Sequence, residues 1–295
     1  MWFSGFENKK GIFQTKLTSL DKQRLEDVKK AIEENVISTQ VESLRNFTKT
    51  HALKLYKVLA EVTRASTIAE MVNNCPKNYH CVTEVETFND MLEKALKEDY
   101  IGLDTETTGL DVFGKDLIVG VSISLPEHDE HFYIPVRHEV PEEQLPEKVV
   151  FEGLKPLIES EKIGKVLHNA KFDAHMFKKE GITLTNIIMD TMNSFHVLTE
   201  NEPSYALKNI ATKWGKNFGF IDSSKTYEEL FGKGGFEKTP LDIGTVYACK
   251  DTHLTINLYK WIMSHLEKQE GLLATHQLET KILPVVIEMG QNGIS

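Results

Sequence analysis

Three cysteines in 295 residues, Cys75, Cys81 and Cys249, are too few and too scattered for a disulfide framework. They form no CxxC pair and no His/Cys cluster, so free thiols, no zinc site and a reducing compartment, the cytoplasm, are expected. No run of ~18 apolar residues occurs, which argues against a membrane-spanning helix. The opening MWFSGFENKKG also lacks the apolar core of a secretory signal. From Ile12 to Cys75 there is neither Gly nor Pro, so the usual turn punctuation is missing from that stretch. Cations are scarce as well: 34 Lys and Arg stand against 44 Asp and Glu, a net charge of -10. The shortage is uneven, with 12 against 9 in residues 1–75 and 22 against 35 in the remainder. An acidic body grips phosphate backbones poorly. Phosphate chemistry on such a body calls for metal ions to offset its charge.

What is present first is a helical preface. Leu25, Val28, Ile32 and Val36 recur at helical spacing, as do Val41, Leu44, Leu55, Leu59 and Val62. TSLD (Thr18–Asp21) and TQVE (Thr39–Glu42) have the spacing of N-terminal capping boxes. The pattern predicts two longer helices and a short third over residues 1–75, ended by the turn-rich NNCPKN. Beyond it the pattern is mixed. YHCVTEV reads as a strand and ETFNDMLEKALKE as a helix. Three strand-like runs follow: YIGLDTET, LIVGVSISL and HFYIPV. Helix and strand then alternate through FEGLKPLIESE, GKVLHN, KFDAHMFKKEG and NIIMDT before further helices. Consecutive strands followed by alternating units predict an α/β fold, a mixed sheet covered by helices on both faces.

Certain carboxylates do not suit such a core. In YIGLDTET, Asp104 and Glu106 project from the same face of a strand, about 6–7 Å apart along it. Two like charges so placed repel, and burial without a partner costs several kcal/mol per ion. In YACKDTHLTINLYKW, Tyr247, Asp251, Leu254, Leu258 and Trp261 share one helical stripe, so Asp251 lies on the apolar face beside Tyr247. In HNAKFDAHMF, Asn169 and Asp173 stand at a strand–helix junction. Each has an ordinary reading there, Asn169 as an N-cap and Asp173 as a first-turn acid favouring the helix dipole. The set says more than its members. Four acids converging on one site would hold two divalent ions about 3.5–4 Å apart, the arrangement for in-line attack on phosphodiesters. Oxygen-only ligands favour Mg²⁺ or Mn²⁺.

LDTETTGLD, HNAKFD and YACKD resemble the three exonuclease motifs of the proofreading domain in family A (bacterial DNA polymerase I-like) polymerases. They match the DEDD class with tyrosine in the third motif. MDTMNSFHVL and TYEELFGKG extend the likeness over roughly Tyr79 to the C-terminus. The resemblance implies an RNase H-like fold and metal-dependent removal of nucleoside monophosphates from a single-stranded or frayed 3′ end of DNA. It assigns Asp104, Glu106 and Asp251 to the tighter metal, and Asp104 and Asp173 to the second. Tyr247 and Glu106 would orient the attacking water. Leu110 would wedge between the last bases, Tyr227 would stack on the single strand, and Asn169 would contact the terminal nucleotide. ETKILPVVIEMGQNGIS is similar to the junction into a polymerase domain, which places a nuclease body at 76–280 and the start of that junction at 281–295. The polymerase domain would be the partner, in the parent chain or as a separate subunit. Two other readings share the pattern: an RNase D-like 3′-5′ exoribonuclease, and a catalytically silent nucleic-acid-binding domain.

Overall fold

The computed structural model describes residues 49–220, 227–231 and 235–293, together with Ser19 and Gln23. Two compact units divide the chain at Asn73/Asn74. In the first, helix α1 (Lys49–Asn73) contains the stretch with Leu55, Leu59 and Val62, and it stops where NNCPKN begins. Thr18, Asp21, Thr39 and Glu42, the capping residues of the two expected boxes, and the earlier apolar repeats lie outside the described residues.

The second unit is built on a six-stranded sheet. Its strands are β1 (Tyr79–Cys81), β2 (Tyr100–Thr107), β3 (Ile118–Leu125), β4 (Glu130–Pro135), β5 (Gly164–Leu167) and β6 (Ile187–Asp190). The order across the sheet is β1-β4-β3-β2-β5-β6. Strands β2, β3 and β4 pair antiparallel, while β1 on β4, β5 on β2 and β6 on β5 are parallel. The mixed sheet predicted from the run of strands is therefore present. The reading of YHCVTEV as one strand overruns, because the chain turns after Cys81 and Val85 opens helix α2 (Val85–Ala95).

Helices cover both faces. On one side α2, α3 (Glu147–Ile158) and α4 (Ala170–Lys179) bury Phe88, Met91, Leu154, Met176 and Phe177 against Ile101, Leu103, Val121 and Ile123. Those strand residues are odd-numbered, as the period of two requires. The even-numbered face of the same strands is made of small residues. Gly102 pairs with Ser124, Asp104 with Ser122 and Glu106 with Gly120. Into this trough packs α8 (Leu241–Leu266), a helix buried on most of its circumference. The remaining helices are α5 (Thr191–Leu198), α6 (Leu207–Trp214), α7 (Tyr227–Phe231) and α9 (Glu270–Gln291). A second apolar cluster, Phe195, Ile210, Leu254, Leu258 and Ile262, joins α5, α6 and α8. Among the described residues no helix is long and apolar enough to cross a membrane.

Gly102 sets how closely α8 approaches. A Cβ at this position would lie 2.8 Å from Ile256 Cγ1 and 3.2 Å from Ser124 Cβ. Gly120 makes room instead for the ring of Tyr133 on the neighbouring strand β4. We expect Gly102→Ala to destabilise the fold by about 1–3 kcal/mol, the usual cost of overpacking. Chemical denaturation checks this, and Ile256→Ala, which removes the opposing Cγ1, should cost less in the Gly102→Ala background than in the native one in a double-mutant cycle.

His131 on β4 is 2% exposed; its Nδ1 lies 2.6 Å from Ser124 Oγ, and its ring stacks on His253 with centroids 4.0 Å apart. Burial first, then the neighbouring His253, His80 and Lys260, push its pKa down to about 3. An unfolded histidine takes up its proton near 6.5. This ring therefore contributes stability above about 6.5 that is lost as pH falls toward 3. Melting curves from pH 7 to 4.5 should slope less for His131→Gln than for the native chain.

Candidate active site

Three of the carboxylates singled out in the sequence meet where α8 crosses β2. Asp104 and Glu106 face the helix from the even side of the strand, and Asp251, 8% exposed, faces back from the stripe it shares with Leu254 and Leu258. One oxygen from each of Asp104, Glu106 and Asp251 lies within 4.8 Å of the others. Glu106 Oε1 is buried with no hydrogen-bond partner among the described residues. A carboxylate oxygen kept from water and from every donor is expensive. That orphaned oxygen, in an all-oxygen donor set, fits a hard divalent cation.

Asp173 reaches the site by another route. Strand β5 pairs with β2 only as far as Gly102, so the β2 edge beyond is open. The chain leaves β5 at Leu167 and enters α4, whose first turn places Asp173 against that edge. Its Oδ1 accepts from Thr105 N–H at 3.0 Å and from Thr105 Oγ1 at 2.6 Å. A first-turn acid was expected to serve the helix dipole; this one, 2% exposed, also replaces a missing strand partner. It stands outside the three-oxygen group, yet its charge and that of Asp104 act on each other.

Burial, the largest cause, raises all three pKa values in the β2–α4 part of the site. Asp104 is pushed up to about 7, opposed by Lys208 and the Thr105 amide. Glu106 rises well above the usual range, with the Asp104 charge adding to burial. Asp173 also rises well above it. The opposing cation went unrecognised in the sequence, where SYALKN contains one more lysine among many. Lys208 stands in the first turn of α6, and its Nζ contacts Asp251 Oδ1. It also lies 4.4 Å from the centroid of the Tyr247 ring. Tyr247 and Asp251 are thus linked through one ammonium, itself pushed down to about 7, chiefly by burial.

The other expected site residues are less closely tied. Asn169 occupies the N-cap position of α4, but its side chain makes no capping bond. Its backbone is left-handed at φ 68, a conformation asparagine tolerates, and the residue is exposed. Asp190 satisfies the start of α4 instead, accepting from the amides of Asn169 and Ala170, and it also caps α5 by accepting from Met192 N–H. Leu110 is 85% exposed on the loop after β2. That loop is cross-tied, with Asp116 accepting from Asp111 N–H and Thr108 Oγ1, and Asp111 accepting from Gly114 N–H. Tyr227 begins α7, and its side chain lies outside the described ones. A second group of possible ligands, Asp129, His131 and His253, lies on the far part of the sheet. The two rings are stacked with an interplanar angle of 21°, so their in-plane lone pairs run alongside rather than converge.

A family model described as 3′-5′ exonuclease matches residues 79–267, from β1 through the end of α8. The chain is 29% identical over 226 residues to DNA polymerase I of Pseudomonas aeruginosa, covering 73% of this chain and 24% of that one. It is 29% identical over 204 residues to DNA polymerase DpoZ of Salmonella phage PMBT28, covering 66% and 31%. It therefore spans 24% and 31% of these relatives' lengths. Among solved structures, Escherichia coli RNase D has a TM-score of 0.52 at 16% identity, covering 69% of this chain and 50% of that one. A structure described as the apo form of the nuclease scores 0.54 at 18%, covering 72% and 91%. These likenesses establish the RNase H-like exonuclease fold. With the family match spanning the sheet and the carboxylate-bearing helix, the chain belongs to the 3′-5′ exonuclease family of the family A DNA polymerases.

Proposed function

We propose that this nuclease removes nucleoside monophosphates from a single-stranded or frayed 3′ end of DNA, using two divalent cations, Mg²⁺ or Mn²⁺. The observation that carries the metal reading is the trio of oxygens within 4.8 Å, one of its carboxylates bearing a buried, orphaned oxygen. Asp104, Glu106 and Asp251 hold the tighter ion, and Asp104 with Asp173 engages the second. Bound there, the ions supply Lewis acidity to the phosphodiester and lower the pKa of the attacking water. Tyr247 and Glu106 orient that water. Asn169, its carboxamide not spent on capping, meets the terminal nucleotide. Leu110, displayed on its cross-tied loop, wedges between the last bases. Tyr227 stacks on the single strand, a contact that tolerates any base.

The nuclease body comprises residues 76–280, with 281–295 leading toward a polymerase domain as partner and a cytoplasmic setting. An acidic surface binds DNA weakly, so a polymerase domain supplies much of the grip. The RNase D likeness concerns fold alone and supports no choice of substrate, whereas the match to the polymerase exonuclease family favours DNA.

The assay is direct. A 5′-labelled DNA strand with Mg²⁺ or Mn²⁺ should shorten from its 3′ end, and EDTA or Asp104→Ala should reduce the rate at least 100-fold. Faster trimming of matched RNA would instead support an RNase D-like activity, and binding without cleavage a silent domain.

The raised pKa values give a second expectation. Asp104 titrates near 3.8–3.9 when unfolded and near 7 when folded. The native state therefore keeps a proton that the unfolded chain has released. Its contribution is full below about 3.8 and is lost as pH rises toward 7. In EDTA at pH 8, Asp104→Asn should melt a few degrees above the native chain, with the gap closing toward pH 4. Added Mn²⁺ should raise the native melting temperature more than that of the variant.

A further inference from the structure

We propose that Lys208 is a resident counter-cation of the carboxylate cluster, whose ammonium a divalent ion must displace from Asp251 in order to bind. This rests on the reading of the cluster as a metal site. Lysine is almost never buried unless paired. Here its side chain is 11% exposed, that of Asp251 is 12% exposed, and the two are in contact. The charge of Lys208 also acts on both Asp104 and Glu106. One ammonium thus serves the same three residues whose oxygens would ligate an ion.

Two cations cannot share that space. At separations of a few ångströms the repulsion between an ammonium and a divalent ion is large at any protein dielectric. The lysine can be displaced, because its charge is carried on a flexible four-carbon stem; the ring of Tyr247, 4.4 Å from Nζ, flanks it in the position it holds against Asp251. Displacement has two coupled consequences. Lys208 stabilises the metal-free fold by partly neutralising the carboxylates, and it lowers apparent metal affinity by the fraction of molecules in which it holds the site. A lysine with a purely structural role would stabilise the fold without weakening metal binding.

Calorimetric titration of the full chain with Mn²⁺, without nucleic acid, separates these roles when paired with melting curves in EDTA. Lys208→Met should bind Mn²⁺ at least tenfold more tightly than the native chain while melting lower in EDTA. Lys208→Arg, which keeps the charge, should retain native-like affinity. Lys208→Gln provides a neutral polar substitute if the methionine variant does not fold. A neutral variant that folds but binds Mn²⁺ no better than the native chain overturns the role of Lys208 and leaves the metal site standing. Absence of Mn²⁺ binding to native and neutral variants alike overturns both.

Discussion

The close approach of helix α8 to strands β2 and β3 is the constraint on which the rest of the molecule depends. It is possible because the strand faces beneath the helix are Gly102, Gly120, Ser122 and Ser124 rather than branched residues. With Ile256 seated on Gly102, the preceding turns bring Asp251 over Asp104 and Glu106. Were the helix held away by even one methyl group, the apolar contacts would loosen and the three oxygens would no longer share a space of ionic size. Packing and chemistry are here the same distance.

That distance creates an electrostatic problem that local groups answer only in part. Burial pushes the carboxyls of Asp104, Glu106 and Asp173 toward their protonated forms, and the Asp104 charge adds to it at Glu106 and Asp173. Thr105 stabilises the Asp173 charge with two hydrogen bonds, and Lys208 brings a cation. Among the described residues Glu106 Oε1 has no hydrogen-bond partner. A fold that retains such a cluster gives up stability near neutral pH, in proportion to the upward pKa shifts. Divalent ions would recover it, so metal binding and folding stability are linked through the same oxygens.

Much of this was legible in the chain, because its signals are local. YIGLDTET reads as a strand with two acids on one face, and it forms β2 over those eight residues. The stripe from Tyr247 to Trp261 places Asp251 on an apolar helix face, where it indeed lies buried. Asn169 shows the limit. Its position at a strand–helix junction suggests a side-chain cap, but its backbone is left-handed, its side chain makes no capping bond, and Asp190, 21 residues later, takes the amides. No local pattern marks Asp190 for that task, since it comes within reach only when β6 lies beside β5.

Periodicity and residue type determined, from the sequence alone, which segments are strands and helices, which acids are out of place, and which family's motifs they match. These depend on neighbours a few residues away, whose spacing is set by backbone geometry. The tertiary structure alone decided that Asp104, Glu106 and Asp251 share one space while Asp173 is held at the open edge of β2. It alone brought Lys208 to them, because a lysine at the start of an amphipathic helix carries no mark of what it will face. Distances between segments far apart in the chain follow from how small residues let helix and sheet approach, and from which charges are then left together out of water.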